Sequence, residues 1–171
     1  TVDDKKKTTT ITGKVTTSDT DADGNKSSSS TSGTAVLTDD GKLKTATGEL
    51  KTSETVGDTT TSDSTKVKVD GTKGTANVTH IGSDKVTNED GSSVSDTSKN
   101  TLDVNVNNPS VKASTSGEHK ETAADGSSVA NRTGVSGGVT ENSVSIGANV
   151  GRTTTDTEGD SLKHDHKVGV T

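Results

Sequence analysis

Five Asp-Gly steps punctuate the chain, with their aspartates at positions 23, 40, 70, 90 and 125. An Asp-Gly pair suits the left-handed backbone of a tight hairpin, so each step marks a place where the chain doubles back. The steps lie 17, 30, 20 and 35 residues apart, the longer intervals being close to twice the shorter ones. That spacing predicts an antiparallel up-and-down meander with strands of roughly 10–14 residues, well beyond the usual ~5–6. The turns missing from the double intervals fall to residues such as Gly57, Pro109 and Gly137-Gly138.

Composition agrees with strands. The chain has 34 Thr, 23 Ser and 19 Val, and no Gln or Met. Branching at Cβ suits a pleated surface, and the good helix formers are scarce. The fold class expected is all-β with essentially no helix, one domain over residues 1–171. Long strands suit a barrel or a fibre subunit better than a small sandwich. Residues 1–7, with Lys5-Lys6-Lys7, read as a flexible, solvated N-terminal tail.

The core is the difficulty. Phe, Tyr and Trp are absent, and Val, Leu and Ile together supply 27 of 171 residues. That is below the ~20% at which composition resembles that of a disordered stalk. A net charge of only −6 and a single proline argue against disorder. Stability is therefore expected from outside a normal core: other copies of the chain, bound metal, or long hydrogen-bonded ladders.

Several segments alternate clearly. Thr8–Thr17 puts Thr9, Ile11, Gly13 and Val15 on one face. Lys66–Val69 runs into Asp70-Gly71, and Thr75–Ile81 reads as its partner, with Ala76, Val78 and His80 together. Thr101–Asn107, Val111–Glu121, Ser143–Gly151 and Leu162–Val170 are further strands, Val106 facing inward in the first of these. Ser27–Ser30 reads as a linker or a very polar strand, Gly48 as an interruption of Leu43–Val56, and Gly57–Ser64 as a loop. Asp90-Gly-Ser-Ser-Val94 recurs as Asp125-Gly-Ser-Ser-Val129.

One stretch carries chemistry. Asp19, Asp21 and Asp23 alternate and are closed by Gly24. The pattern resembles the first half of an EF-hand-type loop, the D-x-D-x-D-G motif of calcium-binding loops in extracellular proteins. The resemblance implies carboxylate ligands from Asp19, Asp21 and Asp23 and a carbonyl ligand from Asn25, all on Ca²⁺. It stops there, because the twelfth position, a bidentate Glu in the motif, is Ser30, and nothing helical flanks the loop. His164 and His166 share a strand face at a spacing that can chelate Zn²⁺ or Cu²⁺, with His80 or His119 as a third ligand.

Other classes find little footing. There is no G-x-S-x-G elbow and no phosphate-binding loop, so the chain reads as non-enzymatic. Mild acidity and the lack of aromatics argue against nucleic acid. No cysteine means no disulfide and no thiolate chemistry, which fits a bacterial or archaeal exterior. In overall flavour the chain resembles Ser/Thr-rich bacterial surface proteins. The expected function is a secreted or cell-surface structural protein (a surface-layer, adhesin or filament subunit) that self-associates and is stiffened by calcium. Two alternatives stand beside it. One is a β-barrel pore, the only reading that involves a membrane. The other is a reduced-alphabet designed scaffold.

Overall fold

The computed structural model describes residues 1–3 and 7–171. Strands make up 76% of it, and there is no helix among the described residues. A two-residue strand, β1 (Val2–Asp3), precedes ten long ones: β2 (Thr8–Thr20), β3 (Lys26–Thr38), β4 (Leu43–Val56), β5 (Thr59–Asp70), β6 (Thr75–Thr87), β7 (Ser93–Asn105), β8 (Ser110–Thr122), β9 (Ser128–Thr140), β10 (Val144–Thr155) and β11 (Ser161–Val170). They form one antiparallel sheet in sequence order, so the expected meander is what the chain adopts. The sheet is not closed. No second layer exists among the described residues, so the chain by itself is neither barrel nor sandwich.

The turns explain the regularity. Left-handed glycines occur at Gly24, Gly41, Gly57, Gly74, Gly91, Gly126 and Gly159. Five hairpins share one construction. In each, the glycine N–H donates to the carbonyl three residues back, as from Gly91 to Asn88 (2.9 Å) and from Gly126 to Ala123 (3.0 Å). A second bond closes the loop, as from Asn88 N to Ser92 O and from Ala123 N to Ser127 O (both 2.9 Å). This is the three-residue hairpin loop in which a type I turn is followed by a left-handed residue, the position glycine occupies without steric cost. The two DGSSV copies are equivalent turns at the same end of the sheet. In each, the Asp carboxylate accepts from the N–H and the hydroxyl of the Ser two residues on.

Three expectations are corrected. Gly57–Ser64 is not a loop: Gly57 and Asp58 turn the chain, and Thr59 already pairs with Val56. Gly48 does not interrupt its strand. It lies opposite Gly33, which lies opposite Gly13, so three small residues line up where a side chain was expected. Val106 belongs to the turn after Asn105 rather than to a strand face. Ser27–Ser30 is strand, paired on both sides. At the N-terminus Val2 and Asp3 pair with Thr9 and Thr8, while residues 4–6 of the expected tail lie outside the described residues.

Because cross-strand partners share a face, the register sorts the chain into two surfaces. One carries Ile11, Val15, Leu37, Leu50, Val67, Val69, Val78, Leu102, Val104, Val111, Val135, Val139, Ile146, Val150 and Val168. The other is mostly Ser, Thr and Lys, with Val36 and Ile81 as its large aliphatics. Every lysine with a register partner lies on it, from Lys14 on β2 to Lys167 on β11, as does Arg132. Alternation at period two thus places apolar groups against cationic and hydroxylated ones across a single layer.

Neither surface is covered. Among the described residues the only buried apolar residue is Ala130; Gly134 and Gly151 are buried with it. The three surround Arg132, whose Nε donates to Glu118 and whose Nη1 donates to Thr153 Oγ1 (2.9 Å). Large aliphatics on the apolar face stay open to solvent, Val168 at 73% and Val15 at 66%. The chain exposes 11519 Å², whereas a compact monomer of 17.2 kDa should expose about 7800 Å².

Candidate functional site

The carboxylates of the apolar face are gathered at one end of it. Asp19, Glu54, Asp84 and Asp96 lie on a single cross-strand row, through Ser27 and Thr61, and the row continues through His119, Asn131 and Arg152 to His164. Asp63 and Glu121 sit one row to either side. Two open depressions lie here. One, of about 380 Å³, is lined by Asp19, Glu54 and Asp63 among Ser and Thr. The other, of about 530 Å³, is lined by Asp63, Asp84, Asp96 and His119.

Within this trough, Asp84 and Asp96 stand directly opposite each other. Like charges in that relation destabilise a sheet. The next residue in the row relieves it. His119 Nδ1 lies 2.8 Å from Asp96 Oδ1, and its Nε2 lies 3.3 Å from Glu121 Oε1. The hydrogen bond with Asp96, then that with Glu121, raises the His119 pKa above its ordinary value. His80, farther along, is held by Thr65 Oγ1 at 3.0 Å, with Asp63 Oδ1 3.7 Å from its other nitrogen.

The calcium-type loop is the β2–β3 turn with the end of β2. Asp19 is a strand residue opposite Ser27. Asp21 opens the turn and uses its carboxylate to hold it. Oδ1 accepts from the N–H groups of Asp23 and Asn25, and Oδ2 from the Asn25 side chain, all at 2.9 Å. These bonds, led by the Asn25 amide, lower the Asp21 pKa. Asp156 caps the β10–β11 turn in the same way, accepting from the N–H groups of Glu158 (3.1 Å) and Asp160 (2.8 Å). Asn25 turns its side-chain oxygen toward the neighbouring hairpin, where Gly57 N–H donates to it at 3.3 Å. Among the described residues, no group of three or more His, Cys, Asp or Glu side chains converges on a metal-sized point.

His164 and His166 do share a face of β11, opposite Arg152 and Val150. The structure does not bring a third histidine to them. His119 is three strands away, about 14 Å at the ~4.8 Å strand spacing, and His80 is two strands farther. Asp165, between the pair, points to the other face and meets Lys163 Nζ at 2.9 Å, which lowers its pKa.

Sequence reasoning singled out Asp19, Asp21, Asp23 and Asn25 but missed Glu54, Asp63, Asp84, Asp96 and His119, which share a face with Asp19. The available signal was phase: Asp19, Glu54, Asp84 and His119 each precede a turn at the same end of the sheet by a few residues. The carboxylates are open to water, and no apolar pocket among the described residues encloses them. Compared with protein-family models, with curated proteins and with solved structures, the chain matches none of them.

Proposed function

We propose that the chain is a non-enzymatic subunit of an extracellular β-structure that works by associating with copies of itself. The observation that carries this reading is the uncovered single layer. The excess of roughly 3700 Å² over a compact monomer is of the size that obligate interfaces bury, about 2000–5000 Å². Unpaired strand edges and an apolar face of this extent are otherwise liabilities. Absence of cysteine and richness in Ser and Thr support an exterior location. Calcium would act at the tips, with Asp19, Asp23 and the Asn25 carbonyl as ligands beside Asp21, stiffening the first hairpin rather than switching it. Size-exclusion chromatography coupled to light scattering, with and without chelator, tests both halves. Assemblies that loosen on chelation support them, and a monomer indifferent to chelator overturns them.

One observation favours a second reading, a pore built from several chains. The separation of an apolar face from a hydroxyl- and lysine-rich one is the pattern of a membrane barrel with a polar lumen. The absence of Trp and Tyr girdles argues against it. Dye release from liposomes decides the point, and intact vesicles at all protein concentrations remove this reading.

A further inference from the structure

Ten long strands leave two long edges, and the edges match. β1 covers β2 only at Thr8–Thr10, and nothing among the described residues covers Ile11–Thr20 or the outer side of β11. We propose that β11 of one molecule pairs antiparallel with β2 of the next, so that copies join head to tail in one continuous sheet. This rests on the assembly reading above and specifies its interface.

The backbone fixes which residues can meet. Thr10 N donates to Thr1 O and the Thr1 ammonium donates to Thr10 O, both at 2.7 Å. Thr10 therefore turns its polar groups outward, and by alternation so do Thr12, Lys14, Thr16, Ser18 and Thr20. On the other edge, Asp156 N donates to Asp160 O at 3.0 Å. The even positions of β11 thus face β10, and Ser161, Lys163, Asp165, Lys167 and Gly169 face out. Both outward sets lie on the hydroxyl- and lysine-bearing face. Pairing them leaves the apolar face of one molecule continuous with that of the next. β2 and β11 run in opposite directions, so the junction repeats the antiparallel relation found between every neighbouring pair of strands.

Three registers keep the hairpin tips level to within two residues. One sets Lys14 against Asp165 but brings Asp19 against Asp160, and one sets Lys167 against Lys14, so each opposes like charges. The other sets Lys167 against Thr16, Val168 against Val15, and His164 against Asp19. It extends the row of Asp84, Asp96 and His119 across the junction with a further histidine–aspartate neighbour. We assign this last register on that complementarity.

The chain has no cysteine, so disulfides can report the junction. Val15 and Val168 would face each other as a non-hydrogen-bonded pair. Its Cα separation of about 4.5 Å lies within disulfide range, and both positions are exposed. Single variants Val15→Cys and Val168→Cys, mixed and oxidised, are expected to give a heterodimer several-fold faster than either gives a homodimer. The pair should also cross-link faster than Val15→Cys with Val170→Cys, two residues out of register. Dominant homodimers, or preference for the Val170→Cys partner, overturn the interface or its register. Cross-linking within single chains of the double variant Val15→Cys/Val168→Cys means the sheet closes on itself, which also overturns it. No disulfide in a preparation that still elutes as an oligomer overturns the edge interface and leaves the assembly reading standing. A monomer without disulfide removes both.

Discussion

His119 shows how one side chain repairs a fault in the pattern. Directly opposed Asp84 and Asp96 would repel, and an imidazolium beside Asp96 offsets that charge. Its folded pKa lies above the ordinary 6.5. A raised histidine pKa contributes stability that is fully present below the unfolded value and is lost as pH rises through the folded one. The melting temperature is therefore expected to fall as pH rises above about 6.5. The His119→Gln variant should be less stable at pH 5.5 and show a flatter profile over that window. A wild-type profile as flat as the variant's would show that the contact contributes nothing. The turn aspartates have the opposite sign. Asp21, Asp40, Asp90 and Asp125 all titrate below 3.8 because side-chain and backbone hydrogen bonds favour the carboxylate. Their contribution is present above that value and lost as pH falls below it.

At the level of elements, the turns carry the design. Gly126 has φ +90° with open space where a Cβ would sit, so strain alone opposes a side chain there. Gly126→Ala is expected to cost about 1–2 kcal/mol, the penalty of a left-handed L-residue. Gly48, in ordinary strand geometry with nothing within 4 Å of a Cβ, should accept alanine with no loss. Urea midpoints of the two variants make the comparison, and equal losses would contradict it. These turns were legible because glycine after aspartate has few other uses. The strands between them were legible where valine alternates with polar residues, as in Lys66–Val69 and Ser143–Val150. They were not legible in Thr59–Ser64, where both faces are polar, or in Ser93–Asn100 and Ser128–Asn131, where a lone Val94 or Val129 sets no alternation and the strand exists because neighbours on both sides complete its ladder. The carboxylate row was hidden for a related reason. Asp19 and Asp96 meet on one line only through the registers of the five strand pairings between β2 and β7, none of which a local window contains.

The whole molecule inverts the usual arrangement of a small domain. Instead of folding a sheet onto a second layer, the chain lays all its strands side by side and spans about 43 Å across nine strand spacings of ~4.8 Å. Closing a barrel needs a fixed stagger between strands, and the rows here run straight from β2 to β11. Apolar side chains sit at the right period for burial but have nothing of their own chain to be buried against. What cohesion a monomer has comes from ladder hydrogen bonds and from local contacts such as the Arg132–Glu118–Thr153 cluster.

The matching turns at Asp90-Gly91 and Asp125-Gly126 have a consequence for the length of the chain. Excising residues 89–123 joins Asn88 to Ala124 and leaves a five-residue turn of the same construction. Thr87 then meets Ser128, and Val86 meets Val129, on the faces they already occupy. Nothing at β2 or β11 is disturbed. The shortened chain is expected to keep its strand-type circular dichroism, and loss of that spectrum would refute the expectation. Hairpins in this protein are then interchangeable units, and their number is a free variable: the chain could gain or lose one without altering how its two ends present themselves.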